Sequence, residues 1–217
     1  MKQKVIDYIA RHKIIAIVRG LPREKIIPTA QALYDGGIRL IEVTFNQASK
    51  NAMEETPEAI RALCETFGDE LYVGAGTVIT VKQVEAAKNA GAKYIISPNT
   101  DIDVIHACNK MDLVSIPGAF TPSEISLAFK SGADLIKLFP AISLGFDYIK
   151  AIRAPLNHIP MLAVGGVNES NINKFLQLGL LGVGVGSNIV KTDLIMEGSF
   201  DEIKALAEIY TRAIAKR

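Results

Sequence analysis

With 217 residues, 49% of them hydrophobic and 22% charged, the chain suits one large domain or two small ones and is long enough to bury a sizeable core. A formal net charge of +1 excludes bulk attraction to nucleic acid or to an anionic membrane. Trp is absent and aromatics make up 6%, so the core must be aliphatic, which is the palette of parallel strands buried on both faces.

The first residues, MKQKVIDYIARHK, carry charges throughout, unlike a signal peptide, and the apolar run at 14–18 is far too short to span a bilayer. The expected location is the cytoplasm. Eight short apolar runs then recur: IIAIVR (14–19), LIEVTF (40–45), YVGAG (72–76), YIISP (94–98), VSIPG (114–118), LIKLFP (135–140), MLAVGG (161–166) and GVGVGS (182–187). Most are continuous rather than alternating, as buried strands are. Segments of helical period lie between them, among them IIPTAQALYDGG, VKQVEAAKNAG, SEISLAFKSG and NINKFLQLG. In the first of these, Pro28 is tolerated only in an opening turn, which predicts a helix that starts later than Pro22 suggests.

The helix punctuation is strong. Thr121-Pro122-Ser123-Glu124 reads as a capping box with proline at the first helical position, and Thr80-Val81-Lys82-Gln83 has the same form. Gly37, Gly91, Gly132 and Gly179 each stand where a helix ends before the next run. These sites align as an internal repeat: GGIRLIEV (36–43), GAKYIISP (91–98), GADLIKLF (132–139) and GLLGVGVG (179–186). Eight strand–helix units of roughly 20 to 30 residues predict an α/β fold, a single (β/α)8 TIM barrel over 1–217, with a last helix at about 199–216 covering the final strand. An open doubly wound sheet would place GxGxxG after its first strand; here that turn is Arg19-Gly20-Leu21-Pro22.

Cys64 and Cys108 fall in helical patterns without a CxxC partner, and His12, His106 and His158 are scattered without ligand spacing. Neither a metal nor another cofactor is expected. In a barrel of this kind, chemistry sits at the C-terminal ends of the strands. Two charges there are costly: Lys137 in the middle of LIKLFP and Glu42 in the middle of LIEVTF. If both face inward, they look at each other across the mouth. Desolvation would then lower the amine's pKa, freeing it to attack a carbonyl, and raise the carboxyl's into a range useful for proton transfer. The bland alternative is a buried ion pair that only fills space. Gly165-Gly166 and Gly184-Val185-Gly186-Ser187 end the seventh and eighth runs, where barrels commonly bind phosphate. Arg19 ends the first run and offers a charge for a carboxylate or phosphate.

At these residues the chain resembles the KDPG/KHG aldolase family, the 2-keto-3-deoxy-6-phosphogluconate and 2-keto-4-hydroxyglutarate aldolases. The resemblance is carried by GIRLIEVTFN (37–46) and GADLIKLFPAISLG (132–145), with GAGTV (74–78), ISPN (96–99), IPGAFTPSE (116–124), VGGV (164–167) and GVGS (184–187) in the family's order. It implies a metal-independent class I aldolase in which Lys137 corresponds to the Schiff-base lysine and Glu42 to the general acid/base. It implies a substrate site of Arg19, Thr77, Pro98 and Phe139, with Gly165, Gly166, Gly186 and Ser187 for a phosphate, and a homotrimer. Asn46 stands where many members carry a carboxylate-binding arginine; members of the 6-phosphogalactonate type resemble this chain in having Asn there. The implied reaction cleaves a 2-keto-4-hydroxy acid to pyruvate and an aldehyde, glyceraldehyde 3-phosphate or glyoxylate. The competing readings are a phosphate-binding barrel isomerase or epimerase, and a non-catalytic phosphosugar-binding protein. Neither requires a lysine within the sixth run facing a glutamate in the second.

Overall fold

The computed structural model describes residues 2–215. Nine parallel strand segments form one sheet: β1 Ile14–Val18, β2 Leu40–Thr44, β3 Tyr72–Gly76, β4 Tyr94–Ile96, β5 Val114–Ile116, β6 Gly118–Ala119, β7 Ile136–Leu138, β8 Met161–Val164 and β9 Gly182–Val185. They fall within the eight apolar runs, because the fifth run is split. Pro117 has no N–H to give a ladder, so β5 pairs with β4 and β6 pairs with β7 on either side of it. The Ser115 carbonyl accepts from Leu135 N–H and the Pro117 carbonyl from Lys137 N–H, which closes the ring. This is a (β/α)8 TIM-type barrel.

The helices follow the runs in order: α1 Lys2–His12, α2 Arg23–Asp35, α3 Ala52–Phe67, α4 Val81–Asn89, α5 Ile102–Lys110, α6 Pro122–Lys130, α7 Ala141–Leu144, α8 Phe146–Arg153, α9 Ile172–Gln177, α10 Thr192–Glu197 and α11 Phe200–Ala215. Their ends are set as the sequence predicts. Thr121 and Glu124 make the capping box, and the Thr80 side chain accepts from Gln83 N–H. Gly37, Gly91, Gly132 and Gly179 all lie at positive φ, between 80° and 100°.

Three features depart from the sequence reading. First, α2 begins at Arg23, directly after Pro22, so Pro28 sits inside the helix rather than in its opening turn. The N–H that Pro28 lacks would have bonded the Glu24 carbonyl, and Glu24 is exposed, so the lost bond falls on the solvent side of the helix. Second, α11 does more than cover the last strand. It packs chiefly on α2 and seals the seam between the first and last units. Gly36 permits this approach: a Cβ there would lie 2.5 Å from Ala207 Cβ. Third, the charged N-terminal segment forms α1, which closes the N-terminal end of the barrel. Its Val5 and Ile9 join the barrel interior with Ile15, Leu40, Tyr72, Tyr94, Val114, Leu135 and Leu162. Tyr8 stacks on Tyr72, and Lys2 bonds Asp134 at 2.7 Å.

Two apolar cores result, a large one between strands and helices and a smaller one inside the barrel. The smaller one is the floor of what lies above it. Strand alternation puts Glu42 two residues above Leu40 and Lys137 two above Leu135, on the same inward face.

Candidate active site

A cavity of about 550 Å³ opens at the C-terminal end of the strands. Both expected charges line it. Glu42 is 2% exposed and Lys137 6%. The strands carry them there from opposite arcs of the ring: β2 pairs with β1 and β3, and β7 with β6 and β8.

The carboxylate of Glu42 fits because β3 gives it room. A Cβ on Gly76 would lie 1.7 Å from Glu42 Oε1, and one on Gly74 would lie 2.1 Å from the Tyr94 ring. Tyr94 fills the space beneath and donates to the Ile41 carbonyl at 2.8 Å. The alternating glycines of GAGTV therefore leave space for a carboxylate and a supporting ring. Glu42 Oε2 is buried and has no hydrogen-bond partner in the protein. Burial pushes the Glu42 carboxyl above the ordinary carboxylate range, against the opposing charges of Lys137 and then Arg19. Burial likewise holds the Lys137 amine below the ordinary lysine value; Glu42 opposes this and Arg19 adds to it. The Lys137 Nζ lies 4.5 Å from the centroid of the Phe139 ring. An orphaned carboxylate oxygen and a desolvated amine beside open space are what a pair kept only for packing lacks.

Gly76→Ala is expected to displace the carboxylate by about 1 Å or more and to lower kcat about 100-fold, since misplacements of that size carry costs of that order. Steady-state kinetics on the folded variant check this. Wild-type turnover would show that the carboxylate position is unimportant.

Arg19, Thr77, Pro98, Phe139, Gly165, Gly166, Gly186 and Ser187 line the same cavity. Thr77 holds φ 56°, a left-handed conformation that β-branched residues rarely adopt. Gly165 and Gly166 form a turn at φ 92° and 76°, packed so closely on α7 that a Cβ on Gly166 would lie 2.4 Å from Ile142 Cβ. Asn188, which the sequence reading missed, joins the two glycine turns: it lines the cavity, and its amide donates to the Val167 carbonyl at 2.8 Å. Thr192, at the start of α10, also lines it. Only their place in the segment that follows Gly186-Ser187 could have marked them.

Asn46 is not brought to this cavity. It lines a separate one of about 540 Å³ outside the strands, with Gly20, Pro22, Ser49 and Glu55. Its Oδ1 accepts from Ala48 N–H at 3.1 Å, an Asx turn that bends the chain after β2. The cysteines stand apart as well; burial pushes the Cys108 thiol up to about 12, which leaves it inert. Among the described residues no group of His, Cys, Asp and Glu is placed to hold a metal ion, and no helix is long and apolar enough to cross a membrane.

Comparison with known proteins gives the family. Residues 5–206 match the family described as KDPG and KHG aldolase. The chain is 30% identical to the 2-dehydro-3-deoxy-6-phosphogalactonate aldolase of Escherichia coli K12, over 93% of this chain and 96% of that one. It is also 30% identical to the 2-dehydro-3-deoxy-phosphogluconate aldolase of Haemophilus influenzae, over 94% and 93%. Among solved structures it resembles a KDPG aldolase from Legionella pneumophila in which pyruvate was captured as a covalent carbinolamine. The TM-score is 0.84, with 30% identity covering 96% of this chain and 97% of that one.

Proposed function

Since this chain belongs to the KDPG and KHG aldolase family, we propose that it cleaves a 2-keto-3-deoxy-6-phospho sugar acid through an iminium on Lys137, with Glu42 carrying the protons. The observation that carries this reading is the desolvated Lys137 amine facing the orphaned Glu42 carboxylate in one cavity. The covalent carbinolamine of the Legionella relative supports it.

The steps follow from that pair. The neutral Lys137 amine adds to the C2 ketone, giving a carbinolamine. Loss of water leaves an iminium, an electron sink next to C3. Glu42, directly or through a water molecule, accepts the proton of the C4 hydroxyl. The C3–C4 bonding pair then moves to the iminium nitrogen, the C4 hydroxyl becomes the carbonyl of glyceraldehyde 3-phosphate, and an enamine of pyruvate remains. Glu42 returns a proton to C3. Hydrolysis releases pyruvate and restores the amine.

Arg19 and Thr77 serve the substrate carboxylate, Pro98 and Phe139 form apolar walls, and Gly165, Gly166, Gly186 and Ser187 receive the phosphate. Asn46 acts through the turn it folds. With 4-hydroxy-2-oxoglutarate the same steps release glyoxylate. An isomerase or a sensor would share the glycine turns but would have no use for the amine in β7. The whole chain acts as one barrel domain in the cytoplasm. It assembles as a homotrimer, a reading supported by exposed Ile79, Ile102, Phe120 and Ile142, which lie in loops or in the first turns of helices at the same barrel end; light scattering on the purified protein reads the assembly.

Borohydride trapping with pyruvate, followed by peptide mass spectrometry, tests the reading. The expected adduct sits on Lys137 and is missing from Lys137→Ala. Because the neutral amine is the nucleophile, the trapping rate should rise with pH through a midpoint below the ordinary lysine value of 10.5. In Arg19→Ala, which removes a positive neighbour, that midpoint should move up. No adduct at any pH would overturn the aldolase mechanism, and a midpoint at or above 10.5 would overturn the desolvation argument.

A further inference from the structure

The loop after β3 holds a conformation that its own sequence disfavours. Thr77, at φ 56°, lines the cavity with Glu42. A β-branched residue persists there only where its surroundings over-determine it. Two glutamines from outside the cavity do so. The Gln47 side-chain amide donates to the Thr77 carbonyl at 2.6 Å. Gln83, 5% exposed, donates to Gln47 Oε1 at 3.1 Å. Gln83 Oε1 in turn accepts from Ile79 N–H at 2.8 Å, while the Thr80 side chain accepts from the Gln83 N–H at the start of α4. The loop is therefore gripped at 77 and at 79 by one chain of hydrogen bonds. Asn46 presents Gln47 to it: its Oδ1 and its carbonyl accept from Ala48 and Ser49 N–H, which turns the chain toward β3.

We propose that Gln47 and Gln83 form a latch that positions Thr77 for the carboxylate of the 2-keto acid, which makes both glutamines positioning residues of this aldolase. The inference rests on the aldolase reading above. The chemistry of the latch requires amides, because each member both donates and accepts. A carboxylate at 83 keeps the acceptor for Ile79 but cannot donate to Gln47. The latch also ties the loop after β2, which follows Glu42, to the loop that carries Thr77, so that the proton carrier and the anion site hold one register.

The test is the pyruvate concentration that gives half-maximal borohydride trapping of Lys137. Gln47 is exposed, so Gln47→Leu is expected to fold. It and Gln83→Leu should each raise the half-saturating concentration about tenfold, the size of one lost hydrogen bond, while the trapped yield at saturating pyruvate stays at the wild-type level. The double leucine variant should be impaired by less than the product of the two single effects, because both residues share the Gln83–Gln47 bond. Gln83→Glu alone should be impaired, and Gln83→Glu combined with Gln47→Lys should recover to within about threefold of wild type, since an ammonium donates to both the carboxylate and the Thr77 carbonyl. A merely structural cap would show lower Tm with unchanged half-saturation and no rescue, and that result overturns the latch. Absence of trapping in the wild-type protein itself would overturn the aldolase reading, and the latch with it.

Discussion

Lys137→Met is expected to remove aldolase activity, with kcat/KM falling at least about ten-thousand-fold, because no other amine lines the cavity among the described residues. The same variant should be at least as stable as the wild type. Methionine fills a similar volume, desolvation of Lys137 outweighs its attraction to Glu42, and Glu42, left without that counter-charge, is pushed further towards its neutral, protonated form. The pH dependence gives the sign. The folded-state pKa of Lys137 is depressed, so its favourable contribution is complete above the ordinary value of 10.5 and is lost as pH falls through the folded value. The methionine variant should therefore show its largest Tm advantage below the folded value, shrinking as pH rises from there towards 10.5. Thermal melts across that range, with the kinetics, check both halves. A variant that keeps measurable turnover would refute the role of the amine. One that melts far below the wild type would mean that Lys137 holds the barrel together.

Glu42→Gln preserves shape and removes the proton carrier. Its kcat should fall about 100- to 10,000-fold, the usual worth of a positioned acid–base group. Pyruvate should still be trapped on Lys137. Because Glu42 favours the protonated amine, its loss should move the trapping midpoint to lower pH. Stability again follows from the direction of the shift. The raised pKa of Glu42 means that its contribution is complete below the ordinary value of 4.5 and is lost as pH rises through the folded value. The glutamine variant, neutral throughout, should match the wild type below pH 4.5 and exceed it above the folded value. Turnover within tenfold of the wild type would assign the proton transfers to another group.

The two residues carrying these predictions are legible in the sequence for one reason: an ionised group inside a continuous apolar run has no cheap structural explanation. The capping threonines, the helix-ending glycines and the repeat of strand–helix units are legible because each is a local rule, satisfied within one or two turns of chain. The glycine turns at 165–166 and 184–187 were readable by position, since they end the last two strands. Alternation alone, however, gives two faces without saying which is inside. It was α1, packing Val5 and Ile9 beneath Tyr72 and Tyr94, that closed the floor and left Glu42 and Lys137 facing the mouth.

Loop polar groups carry no periodicity, so the sequence did not say where they point. Asn46, a substrate-site candidate by resemblance alone, folds a turn outside the cavity. Gln47 and Gln83 are 36 residues apart and meet only because β2 and β3 are neighbours. Pro117 reads as part of a strand, but only the ring shows that the break lets one strand position pair with both sides. What this sequence determines by itself is therefore the periodic and costly part: the barrel, its helix ends and the buried Lys–Glu pair. What the tertiary structure decided is everything that depends on which distant backbone amides and side chains become neighbours once the ring closes, because hydrogen bonds reach about 3 Å and local sequence does not encode contacts across it.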